Sequence, residues 1–157
     1  MSSCRRPTFT LLGALGDRYL NQRADLVQIT VHRSGFTPRL LRPAEQGELL
    51  SYGLGITNVV ERPTARAQEL TPREYREGGR LLALKVARLR PRWLAVVGVT
   101  AYRAAFGDRM AQVGPQERTF GDTRVWVLPN PSGLNAHWTA ETMAEEFARL
   151  RVAAEAS

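Results

Sequence analysis

Pro129-Asn130-Pro131-Ser132-Gly133-Leu134-Asn135-Ala136-His137-Trp138 is the segment of this chain best placed to do chemistry. It follows Arg124-Val125-Trp126-Val127-Leu128, an apolar run that reads as a buried strand, and it precedes Thr139-Ala140-Glu141, which reads as a helix start. Two prolines and a glycine set its backbone, so amides and side chains can be held ready for a partner. Leu134 stands in the middle of a polar loop. In an open α/β sheet such a loop, leaving the carboxyl end of a strand, lies where ligands bind.

Other side chains invite a chemical reading. Asn58 ends a short apolar run and could touch a base or a backbone, or could cap its own strand. Gly98 and Thr100 read as a strand-to-helix turn, with Thr100 as the cap and the helix N-terminus open to a phosphate. His137 could meet a phosphate or pack on Trp138. Glu61 and Glu69 are carboxylates near the second strand, suited to general-base work or to simple solvation. Arg39, Arg42, Arg62, Arg66 and Arg103 form a solvated basic set, some of it suited to a nucleic-acid backbone.

The elements that must position these residues follow from pattern. Pro43 to Tyr52 reads as a short helix with Leu49 and Leu50 inward and Gly53 as its stop, and Gly55 to Val60 as a strand. Thr71, Pro72 and Glu74 make a capping box for a strong helix, with Tyr75, Leu82, Val86 and Leu89 on one face and Pro91 beyond its end. Trp93 to Gly98 reads as a strand buried on both faces, followed by a helix from Ala101 to Phe106 that Gly107 ends. A loop through Gly114-Pro115 leads to the strand at Arg124 to Leu128, and Thr139 opens a last helix with Met143, Phe147 and Leu150 inward. Upstream, Leu26 to Val31 has strand-like content and no motif is evident. The alternation of strands and helices predicts an α/β fold, a three-layer sandwich with a short, mainly parallel central sheet flanked by helices.

Composition narrows the function classes. The 157 residues carry a net charge of +7, with Lys85 as the only lysine. Arginine therefore supplies nearly all the positive charge, and its guanidinium fork matches phosphate oxygens. One cysteine, Cys4, excludes an intrachain disulfide and a cysteine-based zinc site, and two distant histidines, His32 and His137, give a metal little support. The longest apolar run, Trp93 to Val99, is too short to span a bilayer, and the first residues lack a secretory pattern. An intracellular, cytoplasmic, monomeric protein with no membrane partner is expected. A nucleotide-binding domain would want a G-x-G-x-x-G loop after the first strand, and Gly13-Ala14-Leu15-Gly16 does not supply one.

Three stretches carry a resemblance: Gly55 to Thr64, Gly98-Val99-Thr100-Ala101-Tyr102, and above all Asn130-Pro131-Ser132-Gly133-Leu134-Asn135. From about His32 to the last helix the chain resembles the mismatch-specific uracil/thymine DNA glycosylases, a branch of the uracil-DNA glycosylase superfamily. The resemblance implies cofactor-free removal of uracil, or related bases, from G·U or G·T mispairs in double-stranded DNA. It implies Leu134 as the wedge that fills the space of a flipped base, with Gly133, Asn135 and Ala136 presenting backbone to the widowed guanine. Asn130, Pro131 and Ser132 would brace the loop or meet phosphates.

The chain also departs from that pattern. The family carries a Gly-Ile-Asn-Pro-Gly-like motif after its first strand, whose asparagine positions the attacking water. Residues 1–31 contain no Asn-Pro pair and are read as an atypical N-terminal segment, ahead of a single domain over 32–157. The first strand is expected to be lost or altered. Three readings follow: an active enzyme using another group, with Glu61 and Glu69 as candidates; a truncated or frame-shifted chain; or a non-catalytic module that binds mismatched DNA.

Overall fold

The computed structural model describes residues 10–14, 29–58, 71–129 and 138–156. Five strands form one sheet: β1 (Thr10–Ala14), β2 (Leu54–Asn58), β3 (Trp93–Val97), β4 (Gly114–Phe120) and β5 (Thr123–Leu128). Their order is β2-β1-β3-β5-β4, with the first four parallel and β4 antiparallel to β5. Among the described residues three whole α-helices, α1 (Pro72–Leu89), α2 (Val99–Phe106) and α3 (Ala140–Ala156), and a helical stretch at 29–33 join a 3-10 helix at Pro43–Tyr52.

Strand alternation sorts the core into two halves. Leu94 and Val96 of β3, with Val125 and Val127 of β5, meet Tyr75, Leu82 and Val86 of α1 and Ala101, Tyr102 and Ala105 of α2. Trp93, Ala95 and Val97, with Trp126 and Leu128, meet Phe147 and Leu150 of α3, together with Val31, Leu41 and Leu49. Helices thus cover both faces, which is the expected three-layer sandwich. Each fully buried large side chain contributes roughly 1.5–3 kcal/mol, and Trp93 and Trp126 add an edge-on ring contact at 5.6 Å.

Local chemistry fixes the helices much as the pattern predicts. The Thr71 hydroxyl accepts the amide of Glu74 at 3.2 Å, while the Glu74 carboxylate accepts the amide of Thr71. Thr139 does the same for α3, exchanging hydrogen bonds with Thr142. Gly79 lets α1 lie directly on α2, because a Cβ there would stand 2.3 Å from the carbonyl oxygen of Ala105.

Several expectations need correction. The first strand is not lost: residues 10–14 form β1, an inner strand paired with β2 on one side and β3 on the other. Its partners lie far along the chain, so no local signal marks it. Residues 29–33 are helical, not extended, and Val31 is fully buried in the core. Tertiary packing there outweighs the β-branched content. The segment read as a loop at Gly114-Pro115 is β4, an edge strand whose mostly exposed polar side chains lack the apolar alternation of a covered one. Leu50 and Leu89 point outward, at 68% and 38% exposure. In a 3-10 turn neighbouring residues diverge by about 120°, so Leu49 takes the core and Leu50 cannot. Gly98, not Thr100, is the N-cap of α2, with φ 106° and ψ 113° and no side-chain cap.

Candidate nucleic-acid interface

The register aligns the carboxyl ends of four strands in one row. Asn58 pairs with Ala14, Gly13 with Val96, and Val97 with Leu128. At the usual spacing between strands this row is about 14 Å long. Three segments leave from it: residues 15–28 after β1, 59–70 after β2 and 130–137 after β5. β3 turns there at once into α2. Asn58, Thr100, Glu61, Glu69 and residues 130–137 are therefore on this row or on a segment beginning at it, while Arg39 and Arg42 stand apart, just before the 3-10 helix.

Asn58 is the last residue of β2. The strand is held from behind, because Lys85 of α1 donates to the Thr57 hydroxyl at 2.7 Å, one residue before Asn58. Thr100 is exposed in the first turn of α2. The first hydrogen bond of that helix runs from the Tyr102 amide to the Gly98 carbonyl, so the amides of Val99, Thr100 and Ala101 precede the helical ladder. They give the helix N-terminus its partial positive charge. Only glycine readily takes the backbone angles that let β3 pass into α2 at Gly98 without an intervening residue. The Gly98 amide in turn donates to the Leu128 carbonyl at 2.8 Å, fastening the end of β5 to the start of α2.

Glu61, Glu69, Asn130, Pro131, Ser132, Gly133, Leu134, Asn135, Ala136 and His137 lie outside the described residues. Both flanks of the segment from 130 to 137 are described and both are anchored. Leu128 and Pro129 are buried on one side. On the other, the Met143 amide donates to the Thr139 carbonyl within the reciprocal Thr139–Thr142 cap. α3 is tied back to β5, since the Trp126 indole N–H donates to the buried Glu146 carboxylate at 3.3 Å and Arg149 pairs with the same carboxylate at 2.8 Å. Sequence reading missed this clamp. Its signal was an acid beside Phe147 on the inward face of an amphipathic helix.

The basic set divides. The Arg39 guanidinium reaches Glu45 and Glu48 at 2.7 Å each, and Arg42 reaches Glu45 at 3.1 Å. These contacts, Arg39 first, hold the Glu45 carboxyl down to about 2. Arg103 donates to the Ala111 carbonyl at 2.8 Å and so braces the turn after α2. Arg62 and Arg66 are outside the described residues. Among the described residues no group of three His, Cys, Asp or Glu could hold a metal ion, and no helix is long and apolar enough to cross a membrane.

The row of strand ends and the α2 N-terminus with its open amides thus share one end of a parallel sheet with the starting points of the connections after β1, β2 and β5. Residues 15–152 match the sequence model of the uracil DNA glycosylase superfamily. The match takes in residues 15–31, ahead of the point where the motif resemblance begins. Members of this superfamily are glycosylases, hydrolases that act on uracil in DNA. With most of its length inside that match, and with the α/β sheet that such a match requires, the chain belongs to the uracil DNA glycosylase superfamily.

Proposed function

We propose that this protein, acting as an intracellular monomer, removes uracil, and thymine or related bases, from G·U and G·T mispairs in double-stranded DNA. The observation that carries the reading is the convergence of the marked segments on one row of strand ends in a chain of this superfamily. A base inside a duplex cannot be reached, so it must be flipped out at a cost of a few kcal/mol, and a mispair lowers that cost. Leu134, carried on the connection between two anchored ends, fills the vacated space. Gly133, Asn135 and Ala136 face the widowed guanine with backbone groups, while Asn130, Pro131 and Ser132 hold the loop's shape. Thr100 and the α2 amides take a phosphate, His137 takes another, and Asn58 meets the flipped base.

The water-activating group is assigned on the same reading. In the family it follows the first strand, and here the residues after β1 are Leu15-Gly16-Asp17-Arg18. No Asn-Pro pair stands there. Asp17 is the first side chain past Ala14 able to hold a water and accept its proton, with Glu61, three residues past Asn58, as the next, and Glu69 further along. In the step, the bond between deoxyribose C1′ and the base nitrogen breaks with its electrons leaving on the base. The water oxygen bonds to C1′, the carboxylate takes the water's proton, and the base is released to be protonated. The carboxylate's charge also stabilises the cationic sugar as it forms.

The missing Asn-Pro pair favours one second reading, a catalytically impaired protein that binds mismatched DNA. Incubation with a labelled G·U duplex followed by alkali separates the two. Strand cleavage at the uracil is expected. Retained binding to G·U without cleavage would leave only the binding reading, and equal affinity for G·U and G·C would sink both.

A further inference from the structure

The opposite end of the sheet carries guanidinium groups that the fold leaves without carboxylate partners. Arg90, Arg92 and Arg124 all belong to it: Arg90 and Arg92 lie between α1 and β3, and the Arg124 amide donates to the Arg92 carbonyl at 3.1 Å, with Arg90 on the α1 side of the sheet and the Arg124 guanidinium on the Trp93 side. Elsewhere Arg39, Arg42, Arg80, Arg149 and Arg151 are each paired with glutamate, although Arg33, Arg73, Arg76, Arg88 and Arg109 form no ion pair among the described residues. Among the described residues Arg90 and Arg92 have no such partner, and Arg124 lies with its flat face over the Trp93 ring at 4.4 Å. Stacking occupies the face of a guanidinium and leaves its N–H edge for an acceptor.

Arg90 is also the one described non-glycine residue at positive φ, with φ 52° and ψ 51°. That position caps α1, where glycine is the usual choice, and a side chain there costs on the order of 1–2 kcal/mol. It lines an open recess of about 370 Å³ together with Val86, Pro91, Phe120, Asp122 and Thr123. Asp122, the acid of that lining, is itself engaged in a contact. A strained, exposed arginine without a carboxylate partner, at the rim of a recess and two residues from Arg92, offers its N–H groups to phosphate oxygens.

We propose that the amino end of the sheet is a second contact surface for a nucleic-acid phosphate backbone, through which the protein takes hold of a second DNA segment while the first is still bound. The proposal rests on the reading that the carboxyl end engages DNA. The two ends of a parallel sheet face opposite ways, so a duplex on one leaves the other open. The consequence is direct transfer between segments rather than release followed by search.

The test uses the full chain and a labelled undamaged duplex. Its dissociation rate is measured by stopped flow against increasing unlabelled duplex, and its affinity is measured across salt concentrations. For the native protein the dissociation rate should rise with competitor. In a chain carrying R90Q, R92Q and R124Q the rate should no longer depend on competitor, and the slope of log affinity against log salt should fall by about 2–3. A native rate independent of competitor, or an unchanged slope in the variant, overturns the proposal. R90G supplies an independent readout: melting temperature equal or higher, transfer weaker. A lower melting temperature with undiminished transfer would make Arg90 a folding residue and also overturn it. Uracil release from a G·U duplex should match in native and triple-variant chains. Absence of release from both bears on the proposed function alone.

Discussion

The two ends of the sheet are built differently. At the amino end the connections are short: Gly53 before β2, Arg90 to Arg92 before β3, and the two-residue turn Gly121-Asp122 between β4 and β5. At the carboxyl end β3 alone turns back at once, while residues 59–71 separate β2 from α1 and 129–139 separate β5 from α3. Short connections leave the chain no freedom beyond joining elements. Long ones, fixed at both flanks by a rigid sheet, can carry side chains outward to a large partner. The same core therefore supports a closed end and a presenting end, and the catalytic and wedge residues proposed for this chain all belong to the second.

Substitutions that alter only one end are the way to break that comparison. The largest expected effect is on chemistry. D17N should lower single-turnover uracil release by about 10²- to 10⁴-fold with little change in G·U binding. A loss found instead in E61Q would move the base to the connection after β2, and full activity in both would remove carboxylate catalysis. Gly79→Ala acts on the shared scaffold. Its methyl group would press on the Ala105 carbonyl, so urea unfolding should show a loss of about 1–3 kcal/mol, felt at both ends alike. Unchanged stability would mean that α1 and α2 can separate. Leu134→Ala should weaken binding to mispaired DNA by about tenfold, of the order of one good apolar contact, and weaken intact duplex less. Equal losses would reject the wedge. The smallest effect concerns the paired arginines ahead of the 3-10 helix. Glu45 is held at about 2 against an ordinary 4.5. Its ion pairs are therefore complete above pH 4.5 and fade only as pH falls through about 2, which the carboxyl carbon's chemical shift would report. Titration near 4.5 would show that Arg39 and Arg42 are free for other partners.

What the amino-acid sequence makes legible depends on where the determining contacts lie. α1 was readable because Thr71, Pro72 and Glu74 act on one another within four residues, and β3 and β5 because burial on both faces demands unbroken apolar runs. β1 was not, since Thr10-Leu11-Leu12-Gly13-Ala14 is short, and its identity as an inner strand comes from pairing with residues 54–58 and 93–96. β4 hid for the opposite reason: an edge strand can be polar, and its Gly121-Asp122 turn was the overlooked sign of a hairpin. For the interface, the position of each candidate after a strand was legible. The importance of the residues directly after Ala14 was not, because it depends on recognising β1.

The central place of β1 also sets a schedule. Thr10–Ala14 is made before both of its partners, and it takes its inner place only once β2 and then β3 have been made on either side. At bacterial to eukaryotic synthesis rates the wait from Ala14 to Val97 is roughly 4–17 s. Until β2 is made the strand has two free edges, and from then until β3 is made it has one. The centre of this sheet is thus assembled in chain order from its two flanks, and until β3 arrives β1 keeps an open edge on which nascent chains can pair with one another.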